Sequence, residues 1–163
     1  MKPKPIWDRY HNKNKYSECQ LITALNAKYY LTGEYISQDS EKYEELVDLC
    51  GSRHGSAVCI EKVWDKINIK IRDTYISRLE WEEYDNISPQ LPLEISVWHK
   101  AYGFHSVLAV DYEPKTDAFR ITNFRWATNL QGWIFYEDLN HYLVENPDRT
   151  ESRYKYRQFG VVK

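Results

Sequence analysis

The chain has 163 residues, 42% of them apolar and 28% charged, which suits a folded core and argues against a disordered chain. A formal net charge of −2 supplies no broad attraction for nucleic acid or an anionic membrane surface. Three cysteines, Cys19, Cys50 and Cys59, are an odd number without a disulfide-framework spacing, which excludes a stapled secreted scaffold and predicts a reducing, cytoplasmic setting.

The opening segment "MKPKPIWDRYHNKN" has lysines with no apolar run behind them, so neither a secretory signal nor a membrane anchor is expected there. From Glu18 to Leu31, apolar residues at Leu21, Ile22, Leu25 and Tyr29 recur at helical spacing, and Gly33 follows as a C′ residue. The run "SECQ" has capping-box form, with Ser17 as N-cap, Gln20 three residues on, and Cys19 in the first turn at N2. Free N–H groups and the helix dipole at that place favour a thiolate and lower its pKa, while the neighbouring Glu18 works against this.

A second helix is expected near Glu41 to Leu49, stopping at Gly51, and a third from about Ala57 to Ile67. Between them "CGSRHGSAVC" sets His54 between Cys50 and Cys59, but the spacing matches no usual zinc pattern and reads better as a loop joining two helices. The stretch "TYISRLEWEEYDNISPQLP" mixes charges with spaced aromatics and reads as irregular, with room for a short strand.

After Pro92 the period changes. "LEISVW" and "FHSVLAVDY" are rich in β-branched and aromatic residues, and "EPKTDA" supplies turn chemistry before "FRITNF". "GWIFY" adds a strand, "EDLNHYLV" a short helix and "YRQFGVV" a last strand; the basic, aromatic tail "RYKYRQFGVVK" reads as a strand with a solvated face. Helices first and sheet afterwards predict an α+β fold with the helices packed on an antiparallel sheet. No repeat or Gly/Ser-rich linker divides the chain, so one domain is expected over 1–163, with a helical half over about 1–80 and a sheet half over about 90–163.

An isolated cysteine at a helix end is commonly just a small apolar residue. A nucleophilic thiol needs a base within reach and a third group to orient that base. His105 stands at the start of the strand "FHSVLAV", where alternation groups it with Val107 and Ala109, an unusual choice for filling a core. His11, His54 and His141 lie in polar surroundings, and His99, at the end of the preceding strand, is the competing base. Asn123 in "FRITNF" is an amide among apolar neighbours; a hairpin turning near Pro114 brings it to within one diagonal step of His105, about 5 to 8 Å between backbones.

The order Cys19, His105, Asn123 with these contexts resembles the papain-like cysteine peptidase superfamily, most nearly its small bacterial branch related to bacteriocin-processing peptidases. "ECQLITALNAKYYLTG" is similar to the branch's catalytic-cysteine helix, "LPLEISVWHKAYGFHSVLAVDY" to the strand pair carrying its histidine, and "FRITNFRWATNLQGWIFYEDL" to its stretch with Asn and a nearby Trp. "LCGSRHGSAVCIEKVWDKINIKI" looks like its Gly-containing helix connection.

The resemblance implies Cys19 as nucleophile, His105 as general base and then acid, Asn123 as its orienter, and Phe124 or Trp126 as the cover over that hydrogen bond. Where the family has an oxyanion-stabilising Gln before its cysteine, this chain has Lys13, flanked by Asn12 and Asn14, either of which could supply the amide donor with the backbone N–H of Cys19. The Trp also follows Asn123 at a longer spacing than in the family.

The resulting expectation is a cysteine hydrolase acting on an amide or peptide bond through a thioester, with a peptide or protein as substrate and no cofactor, metal, nucleic acid or membrane partner. The alternatives are an acyltransferase using the same trio and a catalytically silent peptide-binding module.

Overall fold

The structure is a computed structural model that describes residues 10, 18–51, 59–77, 91–99, 103–113, 115–116, 118–122, 132–135 and 153–161. The elements follow in the order α1 (Cys19–Thr32), α2 (Glu41–Cys50), α3 (Ile60–Lys66), β1 (Ile69–Ser77), β2 (Leu93–His99), β3 (Gly103–Glu113), β4 (Ala118–Thr122), β5 (Gly132–Phe135) and β6 (Arg153–Val161). The helix expected over "EDLNHYLV" lies outside the described residues.

Local chemistry sets the helix ends. Gly33 takes φ +75°, a left-handed conformation that costs a glycine nothing, and its N–H closes α1 by donating to the Tyr29 carbonyl at 2.8 Å. At the start of α2 the Ser40 side chain accepts from the Tyr43 N–H at 3.2 Å, while Glu41 and Glu44 place negative charge in the first turn. Asn68, at φ +58°, turns the chain out of α3 directly into β1.

The six strands form one sheet in the order β1-β6-β2-β3-β4-β5, and every neighbouring pair is antiparallel. The last strand therefore inserts between β1 and β2, a placement that strand order along the chain does not reveal. Across β2 and β3 the register pairs Glu94 with Leu108, Ser96 with Ser106 and Val97 with His105. The β3–β4 hairpin pairs Glu113 with Ala118, so its connection is residues 114–117, as the turn signal "EPKTDA" predicts. Leu108 pairs with Thr122 at the far end of β4.

The α+β class with an antiparallel sheet agrees with the sequence pattern, and two details differ. One is β1: a full strand, Ile69–Ser77, starts just past the expected end of the third helix near Ile67 and runs into the stretch read as irregular with room for a short strand. The other is α1, expected to be amphipathic. It is enclosed, with Thr23, Asn26 and Lys28 buried along with Leu21, Ile22 and Leu25. Helices α2 and α3 pack against it with Tyr43, Leu46, Val47 and Val63, and β3 covers it with Leu108 and Val110. Each fully buried Leu, Ile or Val side chain contributes about 1.5–3 kcal/mol to this core. A helix walled in on several sides must find partners for its polar residues among its neighbours, and those partners define the site.

Candidate active site

Cys19 is the first residue of α1 and is half-buried; Cys50 is buried, Cys59 half-buried, and all three are free thiols. Glu18, not Ser17, occupies the N-cap, with helical backbone (φ −97°, ψ −6°) and no capping bond from its side chain. Cys19 is thus at N1 rather than N2, while Ser17, the expected cap, lies outside the described residues.

The Glu18 carboxylate turns inward instead of capping. It is fully buried and accepts a 2.6 Å hydrogen bond from the Tyr43 hydroxyl of α2, which in turn accepts from Gln38 Nε2 at 3.3 Å. A buried carboxylate is tolerable only with such donors. Burial and the adjacent Glu18 carboxylate hold the Tyr43 hydroxyl protonated far above its ordinary range. This contact ties α2 to the residue immediately before the candidate nucleophile.

The Cys19 thiol is pushed above its ordinary pKa, chiefly by burial and further by the negative charge of Glu94; backbone N–H groups of Ser106, Gln20 and Cys19 itself pull the other way. The helix-start effect expected from the sequence is therefore present in the N–H groups of Gln20 and Cys19, but desolvation outweighs it. Glu94 of β2, which the sequence reading did not single out, adds its negative charge against a thiolate, and Glu18 accepts a hydrogen bond from Tyr43.

Beneath the cysteine, one turn further along α1, Thr23 meets the sheet. Ser106 Oγ lies 2.9 Å from both Thr23 Oγ1 and Glu94 Oε1. A hydroxyl has one proton and an ionised carboxylate only accepts, so Ser106 donates to Glu94 and receives from Thr23. One further turn on, Asn26 Nδ2 donates to Thr122 Oγ1 at 3.4 Å. Cys19, Thr23 and Asn26 follow the i, i+4, i+7 spacing of one helix face, so a polar stripe runs along α1 and attaches it to β3 and β4.

Of the other expected site residues, the backbone of His105 is among the described residues. His105 belongs to β3, opposite Val97 and immediately before Ser106. Strand β4 ends at Thr122, the residue before Asn123. Asn123 itself lies outside the described residues, as do Asn12, Asn14, Phe124 and Trp126.

Sequence reasoning passed over Glu94, Ser106 and Thr23. In "LEISVW" a Glu between apolar residues reads as the solvent side of a strand. The available signal was joint: polar residues at alternate positions of two strands together with Thr23 and Asn26 on one face of an otherwise apolar helix. Among the described residues no group of three or more His, Cys, Asp or Glu side chains is placed to hold a metal ion. No described helix is long and apolar enough to cross a membrane. Cys59 donates its N–H to the Cys50 carbonyl at 3.2 Å, closing the loop expected between α2 and α3, while His54 lies outside the described residues.

No protein-family model matches the chain, and no curated protein matches it by sequence. Among solved structures it is similar to the peptidase domain of Streptococcus ComA, a bi-functional ABC transporter involved in a quorum sensing pathway, with a TM-score of 0.58 and 13% identity over 87% of this chain and 91% of that one. At that identity the likeness is one of fold: helices on an antiparallel sheet, arranged as in a peptidase domain.

Proposed function

We propose that this chain is a single-domain, papain-like cysteine hydrolase that cleaves an amide or peptide bond, with Cys19 as nucleophile, His105 as base and then acid, and Asn123 as orienter of His105. The observation that carries the reading is that α1, which begins at Cys19, meets β3 at the residue after His105: Ser106 Oγ lies 2.9 Å from Thr23 Oγ1, one turn past the cysteine. The fold shared with a peptidase domain supports it.

The thiol is held protonated at rest, so the reaction begins with proton transfer. The Cys19 S–H proton passes to the His105 imidazole as sulfur bonds to the carbonyl carbon, and the C=O π pair moves onto oxygen. The backbone N–H of Cys19 and an amide of Asn12 or Asn14 receive that oxyanion. The C–N bond then breaks as His105 protonates the leaving amine, which leaves a thioester. Water attacks it, giving a proton to His105, and the sulfur departs and is reprotonated. An amine in place of water would give acyl transfer through the same steps.

A second reading, a silent peptide-binding module of the same fold, is favoured by one observation: Lys13 stands where the family resemblance calls for the oxyanion Gln. The test is a peptide mixture followed by mass spectrometry. Cleavage that disappears in Cys19→Ala and His105→Ala and falls in Asn123→Ala, with all three variants folded, is the expected result. Peptide binding without cleavage assigns the binding module, and cleavage that survives Cys19→Ala refutes the nucleophile.

A further inference from the structure

We infer that Asn26 is a positioning residue for Cys19: together with Thr23 it keys the rotation of α1 about its own axis, and so fixes the direction in which the helix presents the thiol. That the thiol so presented is a nucleophile rests on the reading above; the keying does not.

The need for a key comes from the enclosure of α1. Eight consecutive residues, Leu21 to Lys28, are buried. Successive residues of a helix point about 100° apart, so this run covers every direction around the axis. A surface helix is oriented by its apolar stripe, which has to face the core. Over these two turns α1 has no such asymmetry. Apolar side chains such as Leu21, Ile22 and Leu25 tolerate repacking, so they distinguish one rotation from the next only weakly.

Two polar contacts break that near-equivalence. Thr23 Oγ1 lies 2.9 Å from Ser106 Oγ on β3, and Asn26 Nδ2 donates to Thr122 Oγ1 on β4 at 3.4 Å. On a helical wheel Thr23 points about 40° to one side of Cys19 and Asn26 about 20° to the other. The direction these contacts hold is therefore that of the cysteine. Turning α1 by one residue position would bury the Thr23 hydroxyl and the Asn26 amide away from these partners, which is costly.

Stability does not account for Asn26. It is 3% exposed, and its amide offers two donor hydrogens and a carbonyl oxygen with two lone pairs. Its hydrogen bond to Thr122 is beyond the usual N–H···O range, and among the described residues its Oδ1 has no partner. Replacing so poorly satisfied a buried group by an apolar one of similar size is commonly neutral or stabilising. What the amide supplies is a single permitted setting of the helix, as a lone polar residue in an apolar seam fixes register at a cost in stability.

The test is Asn26→Leu, which removes the polar group and keeps the bulk. Its urea unfolding midpoint should equal or exceed that of the wild type. Alkylation of Cys19 by iodoacetamide in the native protein, mapped by mass spectrometry at fixed pH, should become several-fold faster, because the freed helix samples settings in which the half-buried thiol is more exposed. Cys50, buried at the end of α2, should react as slowly as in the wild type and so separates rotation of α1 from general loosening. An unchanged Cys19 rate overturns the inference, as does acceleration of both thiols together. A midpoint below that of the wild type, or failure to fold, overturns it as well, because the amide would then be needed for stability. Neither measurement needs a substrate, so a chain that cleaves no peptide refutes the peptidase reading and leaves this test standing.

Discussion

Replacing Tyr43 by Phe removes one oxygen from the interior and keeps the ring that packs among Leu46, Val47 and α1. The oxygen lost is the 2.6 Å donor to the Glu18 carboxylate and the 3.3 Å acceptor for Gln38 Nε2, with Glu18 fully buried and Gln38 only 5% exposed. A hydrogen bond to a charged group contributes about 1.5–3 kcal/mol and a neutral one about 1 kcal/mol, so Tyr43→Phe should cost about 2–4 kcal/mol. With a urea m-value of about 1–3 kcal/mol per molar, the unfolding midpoint falls by on the order of 1 M while m stays unchanged. Glu18→Gln alone should be destabilising too. In the double variant the two losses should overlap by about 1–3 kcal/mol, because each removes the same contact. Urea titration of the four proteins by circular dichroism measures that overlap. Strict additivity, or a Tyr43→Phe midpoint equal to that of the wild type, would show that this contact does not anchor the residue preceding Cys19, and the account of how α2 steadies the start of α1 would have to be abandoned.

Three further outcomes are expected. Gly33→Ala should cost about 1–2 kcal/mol through left-handed backbone strain alone, since no atom lies within 4 Å of the added methyl group; a melting temperature equal to that of the wild type contradicts this. Leu25→Ala, at a position 1% exposed in the enclosed helix, should cost about 2–5 kcal/mol, read from the same urea titration, and a loss below 1 kcal/mol would mean that α1 is not walled in. Because the folded-state pKa of Cys19 is raised, its contribution to stability is fully present below the ordinary thiol pKa of about 8.5 and is lost as pH rises through the folded value. Wild-type stability should accordingly fall more steeply than that of Cys19→Ser between about pH 8 and pH 10, and parallel curves would refute the raised pKa.

Much of this molecule is legible along the chain because its signals are local. Helical spacing in "LITALNAKYY", the glycines at 33 and 51, Ser40 before an acidic first turn, and the alternation in "FHSVLAVDY" each reflect the steric and hydrogen-bonding needs of a few adjacent residues, and each element stands where those needs put it. The positions of Cys19 at a helix start and of His105 on a strand were readable for the same reason. Tertiary structure decided what those positions mean chemically. The sign of the Cys19 pKa shift depends on how far neighbouring layers desolvate the sulfur and on Glu94, 75 residues further along the sequence. The insertion of β6 between β1 and β2, the inward turn of Glu18 toward Tyr43, and the Thr23–Ser106–Glu94 contacts likewise join residues far apart in sequence. A polar residue at an alternate strand position looks the same in the sequence whether it faces water or a buried helix, and only the packing of α1 onto the sheet distinguishes the two.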